Sequence, residues 1–511
     1  MGNITETITN INTVINDFVW VKVGFILLLG TGILLTLCTK FFQLRHIVHW
    51  WKNTIGSVFK KNSSSTKKTD KQTISQFQAL CTALAATIGT GNIAGVAAAI
   101  VIGGPGAVFW MWIAAFFGMM TKFSENVLGI YFRRRNSKGE WSGGAMYYLE
   151  DGFGKKIKSR ATGRVLGIAF AICAILASFG IGNMGQVNKI TLNIQSAFFA
   201  NVDAPQIGGV SVINIIIGVV LMVIAALIII GGLQRIAAVA ERVVPLMAVL
   251  YIIGALIVFL TNITRVGAMF TSIFKFAFGI KAVGGAAVGI AFKEVATQGC
   301  KRGIFSNEAG LGSSVMVHSA SNVKEPVRQG MWGIFEVFFD TFVVCTITAI
   351  VVLSSGYIAL ETGLAVSGVS DATLVARAFG NVFGRGGEIF IALAMLLFAF
   401  TTVLGWSQYG TKAVEYLFGE KAVPVYKVIF VLMIISGAVM TSSLAWDISD
   451  TFNGMMMIPN LIGVLALLPL VIKITGNYVD RKILGKDIEP ILSYDKNIQK
   501  ETAESIKNGE E

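Results

Sequence analysis

Two glycine-rich segments interrupt otherwise apolar stretches of the sequence, and their residue types suit the binding of ions and polar solutes. The first is Ala-Ala-Thr-Ile-Gly-Thr-Gly-Asn at residues 85–92, and the second is Gly-Ile-Phe-Ser-Asn-Glu-Ala-Gly-Leu-Gly at residues 303–312. A break of this kind frees backbone N–H groups at the positive end of a half-helix, where a carboxylate can bind. The carbonyl groups freed on the other side can bind a dehydrated cation.

The plainer interpretation is that these glycines only allow neighbouring helices to pack closely. Gly91 and Gly95 match the GxxxG pattern, which is common at such contacts. Close packing leaves three polar residues unexplained, which are Asn92, Asn307 and Glu308. Irregular backbone at membrane depth is tolerated only where protein covers it or where it lines a cavity. We therefore expect both breaks to line a binding cavity.

Ionisable residues inside apolar stretches are the second chemical feature, because such groups are costly in a membrane and are usually paired or functional. Glu308 could be a gating or proton-binding carboxylate, or it could pair with Lys301, Arg302 or a neighbouring helix. Glu336 and Asp340 are four residues apart on one face of a predicted helix, so they could act together. For Asp340 we favour a buried structural hydrogen bond.

The composition identifies the class of protein that contains these segments. Of 511 residues, 54% are hydrophobic and only 14% are charged, and the mean hydropathy is +0.69. Soluble chains carry about 25% charged residues. Apolar stretches of about 20 residues, long enough to cross a bilayer, separate the clustered charges. We therefore expect an all-α integral membrane protein.

The net charge of +13 also fits a membrane protein. The basic residues lie in particular loops, as the positive-inside rule requires, and no nucleic-acid-binding motif accompanies them. We expect no nucleic-acid partner. The 5 cysteines and 3 histidines are scattered, which indicates neither a disulfide framework nor a metal cluster.

Eleven membrane spans are predicted, with the N-terminus outside and the C-terminus in the cytoplasm. They lie at residues 19–37, 77–102, 107–132, 165–199, 210–230, 243–260, 295–318, 330–353, 389–409, 425–440 and 452–472. A short interfacial helix is predicted at 143–149, and the charged tail after residue 473 is predicted to be flexible. The region 262–296 is ambiguous.

Setting the first span aside as an accessory helix leaves ten, and the two broken spans then stand first in each group of five. One group starts inside and the other outside, which is an inverted repeat, and interrupted helices at matching repeat positions point to a transporter's binding site. The predicted organisation is an accessory helix with a basic cytoplasmic linker (1–75), two five-helix repeats (76–262 and 263–475) and a charged cytoplasmic tail (476–511).

Several motifs resemble those of the sodium:alanine/glycine symporter family, the amino acid carrier proteins. They are ATIGTGNIAGV (86–96), GGPGAVFWMW (103–112), FGIGNM (179–184), RGIFSNEAGLGS (302–313), FDT (339–341) and MIPNL (457–461). The similarity covers residues 18 to 475. It implies a leucine-transporter-type 5+5 inverted repeat with one extra N-terminal helix. It also implies Na⁺-coupled uptake of small neutral amino acids, alanine or glycine, by alternating access.

The resemblance assigns substrate-binding roles residue by residue. The amides around Gly89, Thr90 and Gly91 would hold the substrate carboxylate, and Asn92 would add a side-chain contact. The remaining pocket residues would be Phe179, Gln186, Phe305, Ser306 and Trp406. Trp406 would cap a pocket small enough to favour glycine or alanine; the alternative for Trp406 is packing against lipid.

The resemblance also implies a Na⁺ site. Its ligands would be the carbonyl groups of Ala85, Ile88 and Phe398 and the hydroxyl groups of Thr401 and Thr402. A cage made only of oxygen atoms suits Na⁺, which is a hard ion. The alternative for both threonines is a hydrogen bond to a carbonyl one turn earlier in the same helix.

Other classes of protein fit the sequence less well. A channel would need rings of like side chains, and an enzyme would need a nucleophile–base pair or a metal cluster. An ATP-driven pump would need the P-loop pattern GxxxxGK[ST], which the sequence lacks. Two alternatives stay open: an H⁺-coupled amino acid transporter that uses Glu308, and a non-transporting amino acid sensor. We expect a monomer in the plasma membrane, in contact with the lipid bilayer.

Overall fold

The computed structural model describes residues 2–60, 65–66, 73–207, 209–278, 292–366, 371–440 and 444–508. Much of the predicted basic linker (61–64 and 67–72) and part of the ambiguous region (279–291) lie outside these ranges.

Long helices dominate the described part of the chain. The first group is α1 (Glu6–Cys38), α2 (Gln76–Thr87), α3 (Gly91–Gly103), α4 (Gly106–Tyr131), α5 (Arg160–Phe198), α6 (Val212–Ile229) and α7 (Gly232–Thr261). The second group is α8 (Phe292–Asn307), α10 (Pro326–Ser354), α11 (Arg385–Phe418), α12 (Val423–Val439), α13 (Leu444–Ala466), α14 (Leu468–Lys482) and α15 (Lys496–Lys507), and it also includes the four-residue helix α9 (Val315–His318).

Shorter elements connect these helices. The short helices are Phe42–Arg45, Ile47–Asn53, Ile55–Val58, Ala145–Tyr147, Tyr148–Phe153, Gly154–Lys156, Ile263–Arg265, Val266–Phe276, Asp371–Phe383 and Glu420–Ala422. Strand Arg134–Arg135 pairs antiparallel with Trp141–Ser142, and strand Gln206–Ile207 pairs antiparallel with Val210–Ser211.

Within the described ranges, 8 helices are long and apolar enough to cross a membrane, or up to 10 if each bent helix pair is one span. Helix α8 is not among them, because it has 16 residues and carries Lys301 and Arg302. The total of eleven spans and the division into two repeats therefore stay predictions.

The first broken span consists of α2 and α3. Ser75 caps α2, since its hydroxyl accepts the amide of Gln78 at 3.1 Å while the Gln78 side chain accepts the Ser75 amide. The helix ends at Thr87, and Ile88 is extended, with φ −79° and ψ 93°. The chain then bends by 56° into α3. A break is therefore present at residues 88–90, within the predicted segment 85–92.

The second broken span consists of α8 and α9, joined by residues 308–314. Glu308, Gly310 and Gly312 have positive φ angles of 55°, 93° and 72°. A Cβ atom at Gly310 would lie 2.2 Å from the Leu28 side chain, so no larger residue fits there without movement. The helix ends at Asn307, where the sequence predicts a break, and glycine at 310 and 312 tolerates the left-handed backbone that follows.

Three π-helical segments surround the breaks. They are Gly91–Gly95 at the start of α3, Gly180–Met184 inside α5 and Phe338–Cys345 inside α10. A π-helical turn inserts one extra residue, so it rotates the side chains that follow it relative to a regular helix. Sequence spacing alone therefore misjudges which side chains face the breaks.

The end of the chain differs from its prediction. The last predicted span, 452–472, crosses a 60° bend between α13 and α14, and Pro469 lies in the first turn of α14. The tail after residue 473 is folded rather than flexible, which corrects the prediction. Arg481 binds Glu325 through two hydrogen bonds of 2.7 and 2.9 Å, and Glu501 pairs with Arg135 at 2.7 Å.

We expect Arg481→Leu to lower the thermal unfolding midpoint in detergent by several degrees. The side chains of Arg481 and Glu325 are 9% and 2% exposed, so the substitution leaves a buried carboxylate unpaired, at a cost of about 3 kcal/mol. Lys507→Gln is the matched control, because its ion pair with Glu489 is exposed and should contribute little. Equal midpoints for both variants would contradict a stabilising role for the tail.

Candidate functional site

The first break directs two backbone amides away from the helix axis. The amide of Gly89 donates to Oδ1 of Asn92 at 2.9 Å, and the amide of Thr90 donates to Oε1 of Gln186 at 3.4 Å. In an uninterrupted helix both would bond to carbonyl groups four residues earlier. Gln186 thus lies at the break, as the sequence predicts, and the first break is held against α5.

Asp340 in α10 joins the two broken spans. Its carboxylate accepts the Asn92 side-chain amide at 2.6 Å and the Ser306 hydroxyl at 2.8 Å. The neighbouring Thr341 also donates to Asp340 at 2.9 Å and accepts from Asn307 at 3.0 Å. All five residues are buried. The buried hydrogen bond favoured for Asp340 is therefore the arrangement observed, and it holds α3 and α8 together.

Glu336 does not share this arrangement, although it lies one turn before Asp340. Its carboxylate lies 3.4 Å from Lys122 Nζ and 2.8 Å from His318 Nε2. The π-helical segment Phe338–Cys345 begins between the two carboxylates, which places them in separate hydrogen-bonded groups. The suggestion that they act together is therefore not supported by their partners.

A small cavity of about 20 Å³ lies between the breaks. It is lined by Ala86, Thr87, Gly89, Gly91, Ile181, Gln186, Phe305, Glu308, Thr402, Trp406 and Asn453. A water molecule needs roughly 10–15 Å³ on this measure. The cavity therefore has room for a water molecule but not for an amino acid, and it must widen to bind one.

Trp406 and Phe305 form apolar walls of this cavity. Trp406 is only 3% exposed, and a Cβ atom at Gly182 would lie 2.4 Å from its indole ring. A Cβ atom at Gly91 would lie 3.3 Å from the Phe305 ring. Two glycines thus let both rings approach the backbone. Trp406 is turned to the protein interior, which argues against its alternative role in lipid packing.

Three predicted pocket residues point elsewhere. Phe179 packs against Tyr426 and Phe430, with ring centroids 5.4 and 6.0 Å apart, and it is absent from the described cavity lining. A π-helical turn follows Phe179 in α5, so the Phe179 side chain faces a different side of the helix from the Gln186 side chain. Asn92 and Ser306 donate to Asp340, so they position the breaks instead of lining the cavity.

Four of the five groups predicted to bind Na⁺ converge between the first break and α11. The Thr402 hydroxyl lies 3.5 Å from the Ile88 carbonyl oxygen and 3.0 Å from that of Phe398. The Thr401 hydroxyl lies 3.0 Å from the same Phe398 oxygen and 2.9 Å from that of Leu397. The alternative hydrogen bonds to carbonyls one turn earlier are thus formed as well.

The fifth predicted ligand is the carbonyl of Ala85, in the last turn of α2. Ala85 is fully buried. The amide that would bond to this carbonyl in a regular helix is that of Gly89, and it donates to Asn92 instead. The Gly89 amide is therefore turned away from the Ala85 carbonyl, which suits an oxygen ligand of a hard cation.

Glu308 lines the cavity from the second break. Ser313 donates to its Oε2 atom at 2.5 Å. Lys301 pairs with Asp450 at 3.2 Å, and Arg302 lies over an aromatic ring with 6.0 Å to its centroid. The predicted alternative pairing of Glu308 with Lys301 or Arg302 is therefore wrong. Glu308 itself has a left-handed backbone conformation, with a φ angle of 55°.

The sequence model of the sodium:alanine symporter family matches residues 5–491. The chain belongs to this family. It is therefore a multi-pass membrane protein of a family of Na⁺/amino acid symporters, and not an enzyme.

Two relatives of the symporter have similar lengths. This chain is 43% identical to the sodium/alanine symporter AgcS of Methanococcus maripaludis, over 92% of this chain and 97% of AgcS. It is 36% identical to the probable sodium/glutamine symporter GlnT of Bacillus subtilis, over 94% of this chain and 93% of GlnT. The names of these relatives indicate different amino acids.

The fold of the symporter is that of the leucine-transporter class. The solved structure of MhsT in complex with L-phenylalanine matches with a TM-score of 0.51 and 16% identity, over 80% of this chain and 99% of MhsT. At this identity the likeness concerns the fold alone, and it confirms the fold class expected from the sequence.

Residues of α4 and α13 that the sequence analysis did not select also hold the second break. Asn460 donates to the Gly310 carbonyl at 2.8 Å and to Glu125 at 2.5 Å, and Glu125 accepts the amide of Gly312 at 3.1 Å. Lys122 donates to Ser314 at 2.8 Å. The sequence could have indicated these contacts through Lys122 and Glu125, the two charged residues inside the predicted span 107–132, since charged residues in a membrane span are rarely without a partner.

Proposed function

We propose that the symporter takes up small neutral amino acids, alanine and glycine, together with Na⁺ by alternating access. The observation that carries this proposal is the small cavity between the two broken spans, with the cluster of oxygen atoms beside it. Cavity and cluster share Thr402, so the substrate and the cation would bind next to each other.

The polarity and the aromatic walls of the cavity favour a small amino acid. Gly89 and Gly91 line it at the start of α3, where the positive end of a half-helix favours a carboxylate. Trp406 and Phe305 close it with rigid aromatic walls that leave little room for a side chain. AgcS, whose name indicates alanine, is also more similar to this chain than GlnT is.

The oxygen cluster favours Na⁺ as the coupling ion. Each of its predicted ligands is a backbone carbonyl or a threonine hydroxyl, and none is charged. The cation would link α2 to α11 through Ile88 and Thr402, which lie in different parts of the chain. Binding of Na⁺ and amino acid together would then favour closure of the outer side, followed by release inward.

The membrane setting is part of the same proposal. We place the symporter in the plasma membrane as a monomer, with the N-terminus outside and the C-terminus in the cytoplasm. The charge distribution supports this orientation, because Arg133, Arg134, Arg135 and Lys138 lie beyond the same end of α4.

Uptake of radiolabelled alanine into proteoliposomes tests the function. We expect accumulation with an inward Na⁺ gradient and none with K⁺ or a proton gradient. Asn92→Leu should abolish accumulation, because it removes the bonds from Asn92 to Gly89 and Asp340. Asn193→Leu is the matched control, since Asn193 bonds only within α5, to the Lys189 carbonyl.

Each other result has a definite meaning. Accumulation with a proton gradient alone would establish the H⁺-coupled alternative. Binding of alanine without accumulation under any gradient would indicate an exchanger or a sensor. Loss of uptake in both asparagine variants would show that uptake tolerates neither substitution, and that Asn92 has no special role.

A further inference from the structure

The cavity is lined by a hydrogen-bond acceptor that the chain itself does not satisfy. Asn453 in α13 lines the cavity, its side chain is buried, and its Oδ1 atom has no partner among the described residues. A buried carbonyl oxygen without a donor is unfavourable and uncommon in folded proteins. A ligand that supplies a donor in the cavity would remove this deficit.

Glu308 is the second acceptor in the same wall. Within the described ranges no Lys or Arg lies within ion-pair distance of it, since Lys301 pairs with Asp450 and Lys122 pairs with Glu336. Lys122 acts on Glu308 electrostatically from farther away, and Ser313 donates to one carboxylate oxygen. A buried carboxylate without a cation in direct contact is costly, so the ligand chemistry that suits this wall is a positively charged group with N–H donors.

The first break offers the opposite polarity. Gly89 and Gly91 line the cavity where α3 begins, and the positive end of that half-helix favours an anion. The cavity therefore combines one end for a carboxylate with acceptors for a cationic group. A zwitterion carries both charges within a few atoms.

We propose that Glu308 and Asn453 together receive the α-ammonium group of the substrate. The inference rests on the proposed transport of amino acids and adds the recognition of one of the two charged groups. An ammonium group has three N–H donors, so it can bond to the Glu308 carboxylate and to Asn453 Oδ1 at once.

Competition between alanine and propionate tests this assignment in the purified full-length protein with saturating Na⁺. Propionate has the carbon skeleton and carboxylate of alanine but no ammonium group. We expect the wild-type protein to bind alanine at least about 100-fold more tightly, and Asn453→Leu to reduce this ratio by about 10-fold, the value of one hydrogen bond to a charged group. Glu308→Gln should reduce it further.

Asn126→Leu is the matched control, because Asn126 in α4 is buried, has an Oδ1 atom without a partner and does not line the described cavity. Its alanine-to-propionate ratio should equal that of the wild type. Asn453→Asp keeps an acceptor and adds charge, so it should raise the ratio. It also provides a second test if Asn453→Leu does not fold.

The outcomes separate the two proposals. Wild-type protein that binds no alanine would overturn the proposed function, and the inference with it. Wild-type protein that prefers alanine, with ratios unchanged in Asn453→Leu and unraised in Asn453→Asp, would overturn the inference alone. Equal losses of alanine and propionate binding in Asn453→Leu would give Asn453 a structural role and also overturn it.

Discussion

We expect Asp340→Asn to lower Na⁺-driven alanine uptake by about 100-fold, because the substitution replaces one acceptor oxygen by an NH₂ donor. Asp340 accepts hydrogen bonds from Asn92 in α3, Ser306 in α8 and the adjacent Thr341. An asparagine at this position directs an NH₂ group toward groups that are themselves donors. The two breaks would lose their common partner, and the cavity between them would lose its shape.

The control for this variant is Asp450→Asn. Asp450 is also a largely buried carboxylate, but it pairs with Lys301 and accepts from Asn16, away from the described cavity lining. Uptake by Asp450→Asn should stay within a few-fold of wild type at equal amounts of folded protein. Full uptake by Asp340→Asn would show that the two breaks do not depend on this carboxylate.

Thr402→Ala should raise the Na⁺ concentration for half-maximal uptake by about 10- to 100-fold, the range expected for one lost polar contact to a charged group. The Thr402 hydroxyl lies between the carbonyl oxygens of Ile88 and Phe398, so it is the side-chain group that links α11 to the first break. The measurement is alanine uptake as a function of external Na⁺.

Two variants complete the Thr402 experiment. Thr402→Ser retains the hydroxyl group and should keep a near-normal Na⁺ dependence. Thr411→Ala removes a threonine of the same helix that bonds to the Ser407 carbonyl, and it should leave the Na⁺ dependence unchanged. An unchanged Na⁺ requirement in Thr402→Ala would mean that this hydroxyl only bonds within its own helix.

The positions of both breaks could be predicted from the sequence for a local reason. Glycine and polar residues within apolar stretches cannot continue a regular buried helix without exposing backbone groups, so the chain must leave the helix near Gly89 and near Glu308. The family motifs extend this to the fold class and to several lining residues. Gln186, Phe305 and Trp406 were assigned in this way, and each lies at the cavity.

π-helical segments rotate the side chains that follow them, and this explains why the predicted helix face was wrong for some residues. Phe179 directly precedes a π-helical segment, and Glu336 shortly precedes another, so a regular helical repeat gives the wrong faces for the residues around them. Phe179 consequently packs between Tyr426 and Phe430. A hydropathy profile does not reveal π-helical segments, because it depends on residue composition and not on the pattern of backbone hydrogen bonds.

The sequence by itself determined the membrane class, the two breaks and the family, because each depends on local composition or on contiguous motifs. Only the tertiary structure decided the partners of the buried polar groups. Asp340 accepts a hydrogen bond from Asn92, which is 248 positions away along the chain, and Asn453 lines the cavity from α13. Buried polar groups must find partners to offset the loss of water, and which partner is near depends on how the helices pack.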